Sequence, residues 1–157
     1  PILLLTALGE VTGCRDFPFH VELRRDASGV LRPIEVNPLR FGGWCTTADL
    51  TAQAFGFDPY LAWFDAQVPD WPAILADQAG QTYAIVVLDD STGIEADRIR
   101  SFDLDAVAAR FGHVIEARPI DRREYPVFGF LFVRTPSSDL SELEAILASD
   151  LSEFVNT

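Results

Sequence analysis

The chain has 157 residues, 48% of them hydrophobic and including 12 Phe and 3 Trp, enough to bury one sizeable core or a core and a small appendage. Its formal charge of −12 argues against nucleic acid or an anionic membrane as partner, since both demand a positive patch. No apolar run approaches the length of a bilayer span, and PILLLTAL carries no leading cation, so neither a span nor a secretory signal is expected from it.

Ile2, Leu5, Leu8 and Val11 recur at helical spacing, which predicts a short helix ending near Gly13. A buried strand is the competing reading of the ILLL run. An Arg15-Asp16-Phe17-Pro18 turn follows. Cys14 and Cys45 sit far apart and match no metal or redox spacing, so two reduced thiols in a cytoplasmic protein are expected in place of a disulfide.

From His20 to Gly43 the sequence reads HVELRRDASGVLRPIEVNPLRFGG, two alternating stretches joined by turn residues. A hairpin centred on Ser28-Gly29 puts Glu22 opposite Glu35 and His20 opposite Asn37. Val21 with Val36 and Leu23 with Ile34 then form an apolar face that packs inward. The same register sets Arg25 opposite Arg32 and places Pro33, which has no N–H, inside a ladder; a bulge or fraying near the turn would absorb both. Two directly opposed carboxylates roughly 5 Å apart repel by about 3 kcal/mol at an effective dielectric near 20. Protonation, an arginine or a divalent cation would relieve this. Two carboxylates and an amide oxygen are hard ligands, suited to Mg²⁺. A wet face of an ordinary half-buried hairpin explains the same pattern, and so does an acid–base pair of a hydrolase, although no sugar-binding aromatics accompany it.

Pro38 to Thr47 forms a glycine-rich loop. Arg40 is its cation, aimed at a phosphate or carboxylate or simply solvated, and Gly42 and Gly43 allow backbone N–H groups to approach an anion. His20 shares the face of Glu22, where it contacts ligands or merely fills an edge position; Arg24, on that face too, is a weaker candidate for anion contact. Thr46 or Thr47 caps a helix running to Phe55 with Gly56 as its stop, and Asp58-Pro59 opens another through Phe64. Val68 to Gln81 reads as a linker with one helical turn. Beyond it, Tyr83–Leu88 reads as a buried strand, Asp103–Phe111 as a helix, and His113–Ala117 and Val127–Val133 as strands. Ser137 or Ser138 opens a last helix through Phe154, striped by Leu140, Leu143, Ile146, Leu147 and Leu151. His113 is read as structural, and Tyr125, Phe128, Phe130 and Phe132 as core. This second unit has no nucleophile with a base and no phosphate loop; packing on the first unit or a homodimer contact is its expected role.

The acid in HVEL, the Glu-x-Asn of IEVNP and the following LRFGGWCTTADLTAQAFGFDPY resemble the metal-binding strands, loop and helix of the ATP-grasp superfamily, over roughly residues 15 to 66. The resemblance implies an α+β fold, an antiparallel hairpin packed with helices as the C-terminal half of an ATP-grasp domain (1–67); the residue pattern beyond it reads as a linker (68–81) and a small β-α-β-β-α unit (82–157). It implies an ATP-dependent ligase that activates a small carboxylate as an acyl phosphate for attack by an amine or thiol. Glu22, Glu35 and Asn37 would hold Mg²⁺, or Mn²⁺ in its place; His20, Arg40, Gly42 and Gly43 would address the ATP phosphates or the substrate. The chain departs from the family pattern in two ways. Leu39 stands where arginine often follows the Asn, and all 12 basic residues are arginine, although the family holds ATP phosphates with lysines. An upstream half carrying them is therefore expected, with little or no activity in this chain alone.

Overall fold

The computed structural model describes residues 2–43, 46–76 and 78–157. Cys45, expected to be a reduced thiol, lies outside the described residues; Cys14 is exposed and free. The fold is α+β, and every strand pair among the described residues is antiparallel. No helix among them is long and apolar enough to cross a membrane. The chain divides into two compact units, residues 1–52 with 56–70, and residues 53–55 with 71–157.

In the first unit, α1 (Ile2–Thr12) leads into β1 (Phe19–Arg25) and β2 (Leu31–Pro38), followed by α2 (Thr46–Phe55) and α3 (Pro59–Phe64). The helical spacing of the N-terminal apolar residues is thus realised as a helix, not a strand. Thr46 is the first residue of α2, not a cap before it, while the end of α2 and the start of α3 follow the expected capping chemistry. The Gly56 amide donates to the Ala52 carbonyl at 2.8 Å, and the Asp58 carboxylate accepts from the amides of Tyr60 and Leu61.

The hairpin loop differs from the tight turn expected at Ser28-Gly29. Asp26 N–H donates to Val30 O at 2.9 Å and Gly29 N–H to Asp26 O at 2.9 Å, so three residues, 27–29, bridge the strands. The Asp26 carboxylate also accepts from the Ser28 amide and hydroxyl and from Val30 N–H. This centres the loop on Ser28, pairing Arg25 with Leu31, Arg24 with Arg32 and Leu23 with Pro33. A bulge between Glu22 and Leu23 on the β1 side then leaves Ile34 as the extra residue of β2. The expected Leu23–Ile34 and Arg25–Arg32 pairs are therefore not formed. Nor does the whole apolar face pack inward. Val21 and Val36 are half-buried, but Leu23, Val30, Leu31 and Ile34 are exposed, Ile34 at 58%.

In the second unit, α4 (Trp71–Ala76) precedes β3 (Gln81–Asp89), then β4 (Ser101–Phe102), α5 (Leu104–Ala108), β5 (Val114–Pro119), β6 (Val127–Pro136), α6 (Ser141–Leu147) and β7 (Val155–Asn156). The main sheet runs β3-β6-β5, and β4 pairs with β7. Central β6 is buried continuously from Val127 to Val133, because a strand with neighbours on both sides and cover on both faces has no wet positions. Leu88, Val107, Phe111, Phe128, Leu131, Val133 and Phe154 form one core cluster, with Phe102 stacked on Phe128 at 4.2 Å. Phe128, Phe130 and Phe132 are core as expected, whereas Tyr125 is 54% exposed.

Three expectations fail here for physical reasons. The apolar run of β3 belongs to an edge strand, half-buried with Val87 exposed, since only one neighbour pairs with it. The helix expected to reach Phe111 stops at Ala108, where tighter backbone turns take over up to Phe111. The long final helix ends at Leu147. The Asp150 carboxylate accepts from Ser152 N–H and starts a short 3₁₀ turn, Leu151–Phe154, that lets β7 reach β4.

Candidate functional site

At the end of the hairpin away from its loop, the alternation of β1 and β2 survives undisturbed. Val21 pairs with Val36, His20 with Asn37 and Glu22 with Glu35, the register that the sequence predicts at these positions. Because the bulge lies on the loop side of Glu22, the one-residue shift of the loop never reaches this end. His20, Glu22, Glu35 and Asn37 consequently share one face of the two-stranded ribbon.

The chain leaves β2 abruptly. Leu39 N–H donates to Pro18 O at 2.7 Å, closing the ribbon, and Leu39 itself takes φ 59°, the left-handed region that costs a branched side chain roughly 1 kcal/mol or more. That kink carries exposed Arg40 out of the strand and seats Phe41 edge-on against Tyr60, ring centroids 4.4 Å apart. Gly42 then passes beneath the His20 imidazole. With φ 89° and a backbone so close that a Cβ would stand 2.6 Å from His20 Cδ2, this position admits only glycine. Gly43 lies against the hydroxyls of Thr46 and Thr47, and Thr46 donates to its carbonyl as α2 begins.

His20 Nδ1 lies 3.7 Å from Glu22 Oε1, too far for a hydrogen bond. Buried and without a partner, it sits opposite the equally buried and partnerless Asn37 Nδ2. Two orphaned polar atoms on directly opposed residues are a cost of about 1–3 kcal/mol each unless something bonds them. Turning the Asn37 amide would present its oxygen instead, beside two carboxylates, a hard-oxygen set that fits Mg²⁺ or Mn²⁺. Electrostatics alone is less demanding than the sequence suggested. The Glu22 side chain is 44% exposed and Glu35 is exposed, so their repulsion falls toward the ~1 kcal/mol of two charges in water.

The structure thus brings His20, Glu22, Glu35 and Asn37 together and sets Gly42 behind them. Arg40 makes no ion pair among the described residues, and neither it nor Gly43 makes a described contact with those side chains. No group of three or more His, Cys, Asp or Glu able to hold a metal ion is found among the described residues, so a cation here would need the amide. Arg24 faces Arg32, whose Nε donates to Asp26 Oδ2 at 2.7 Å. The packing of Gly42 against His20 was invisible in sequence; the Gly42-Gly43 doublet was its only signal.

Residues 3–48, from α1 through the hairpin to the first turn of α2, match the family model of the ATP-grasp domain. The match begins earlier and ends sooner than residues 15–66, over which the sequence resembles the superfamily, and it contains all four residues of the ribbon face. The match covers less than a third of the chain, and what it shows is that these residues are similar to that domain. No curated protein matches the chain.

Proposed function

We propose that this ATP-grasp segment serves an ATP- and Mg²⁺-dependent ligase that joins a carboxylate to an amine or thiol through an acyl phosphate. What supports the reading is the register that sets Glu22 against Glu35 and His20 against Asn37 inside the matched residues. Glu22, Glu35 and the Asn37 amide oxygen would hold the cation, which when bound neutralises the charge of the ATP β- and γ-phosphates. Gly42 fixes the His20 ring, leaving Nδ1 to hydrogen-bond an oxygen of the nucleotide or substrate. Arg40, exposed, orients the acceptor carboxylate or the transferred phosphoryl group by paired N–H bonds. Residues outside this chain supply the adenine pocket and the lysines, so the chain alone has little or no activity.

Mn²⁺ titration followed by water-proton relaxation tests the site. Glu22→Ala and Glu35→Ala should each weaken Mn²⁺ binding tenfold or more; affinity unchanged in both rejects the reading. A second reading, a non-catalytic module with a solvated acidic face, draws on the exposure of Glu35. Failure of the unaltered chain to bind Mn²⁺ selects it.

A further inference from the structure

The second unit contains a pocket of about 500 Å³. Its walls include the apolar side chains of Ile99, Phe102, Leu104 and Phe128 and carry the cations Arg100, Arg122 and Arg123. Three of the 12 arginines of a chain of net charge −12 therefore converge on one concavity. Asp121 is the one carboxylate in its lining.

The three guanidinium groups are not equivalent. Arg122 is fastened: it donates to Asp90 Oδ2 at 3.4 Å and to the Ala96 carbonyl, and only 18% of its side chain is exposed. Arg123 donates to Asp121 through Nε at 2.9 Å and Nη2 at 2.7 Å, which leaves its remaining N–H groups free on a side chain 84% exposed. Arg100 forms no ion pair among the described residues, while its backbone N–H is anchored on Asn156 O at 2.8 Å. Arg100 has no ion-pair partner among the described residues and Arg123 keeps N–H groups beyond those Asp121 takes, while the charge of Arg122 is offset by Asp90; Phe102, stacked on Phe128, lines the same pocket. Arg is the side chain whose planar fork fits carboxylate or phosphate oxygens in pairs.

We propose that this pocket is a binding site for a small organic anion, with a carboxylate or phosphate head held by Arg100 and Arg123 and an apolar body against Ile99, Leu104 and Phe128. The site lies wholly within the second unit and is independent of the cation reading of the hairpin. Phenyl phosphate and phenylacetate are the probes, with inorganic phosphate and benzyl alcohol as controls, each titrated while the Arg Nε–H signals are followed by NMR. Both aromatic anions should shift the Arg100 and Arg123 signals at millimolar concentration, and the tighter of the two identifies the head group. Inorganic phosphate should bind more weakly, and benzyl alcohol should leave both signals unmoved. Arg100→Gln, at an exposed position outside the core, should fold normally and lose roughly tenfold in affinity. Glu35→Ala should bind the probes as the unaltered chain does. Absence of shifts with either aromatic anion, equal binding of benzyl alcohol, or undiminished affinity in Arg100→Gln overturns the proposal.

Discussion

Gly42 and Gly129 show how little room single residues leave. At Gly42 an alanine would meet both a left-handed backbone and the imidazole of His20. Gly42→Ala should cost about 1–3 kcal/mol and lower Tm, and it should move the ring resonances of His20. Unmoved resonances would show that the ring is not seated on this residue. At Gly129 the backbone is ordinary, but a Cβ would stand 2.6 Å from the Arg118 carbonyl oxygen of the neighbouring strand. Gly129→Ala should force β5 from β6 and lower stability by about 1–3 kcal/mol in thermal melts. The doublet at 42–43 is visible in sequence as a place where backbone approaches something. That the something is His20 required coordinates, because no periodicity links a strand residue to a loop more than twenty positions away.

At the scale of elements, the hairpin was legible where two alternating stretches face each other and illegible where the loop sets the pairing. The Asp26 carboxylate decides the loop. Hydrogen bonds from the Ser28 side chain first, then from Arg32 and the Val30 amide, lower its pKa from 3.8 to about 2. A carboxyl more acidic when folded than when unfolded stabilises above the unfolded value, and that contribution is lost as pH falls from 3.8 to about 2. Protection of the Ser28 and Val30 amides against exchange, relative to an unstructured peptide at the same pH, should therefore fall in that window, and Asp26→Asn should remove that fall. Ile34, extra on its strand, returns the pairing to the register of the carboxylates, and no propensity marks a bulge of this kind. The final helix was overread for a related reason: the stripe of Leu143, Ile146, Leu147 and Leu151 continues at helical spacing across Ser149-Asp150, where a side-chain cap competes with the backbone. Two-residue β4 and β7 carry no signal at all, since their pairing depends on where that break delivers the chain.

Across the whole molecule, the α+β class was legible through the resemblance of the hairpin and the helix after it, and the strong negative charge is spread so that arginines find partners in both units. The apolar run in β3 reads as interior in sequence because hydrophobicity reports burial on faces and says nothing of the strand's flank. Between Gln81 and Leu88 that flank carries no charged residue, whereas β5, at the opposite margin of the sheet, is guarded by Glu116, Arg118 and Pro119.

An edge-strand stretch without charge is the kind that pairs with other copies, and mutual repulsion at a net charge of −12 opposes such pairing. That protection vanishes as acidity approaches the isoelectric pH of 4.4. Thioflavin fluorescence should then rise in concentrated solution, sooner than at neutral pH, and Val87→Lys should delay its onset. An unchanged lag in Val87→Lys would mean that another stretch seeds the deposit.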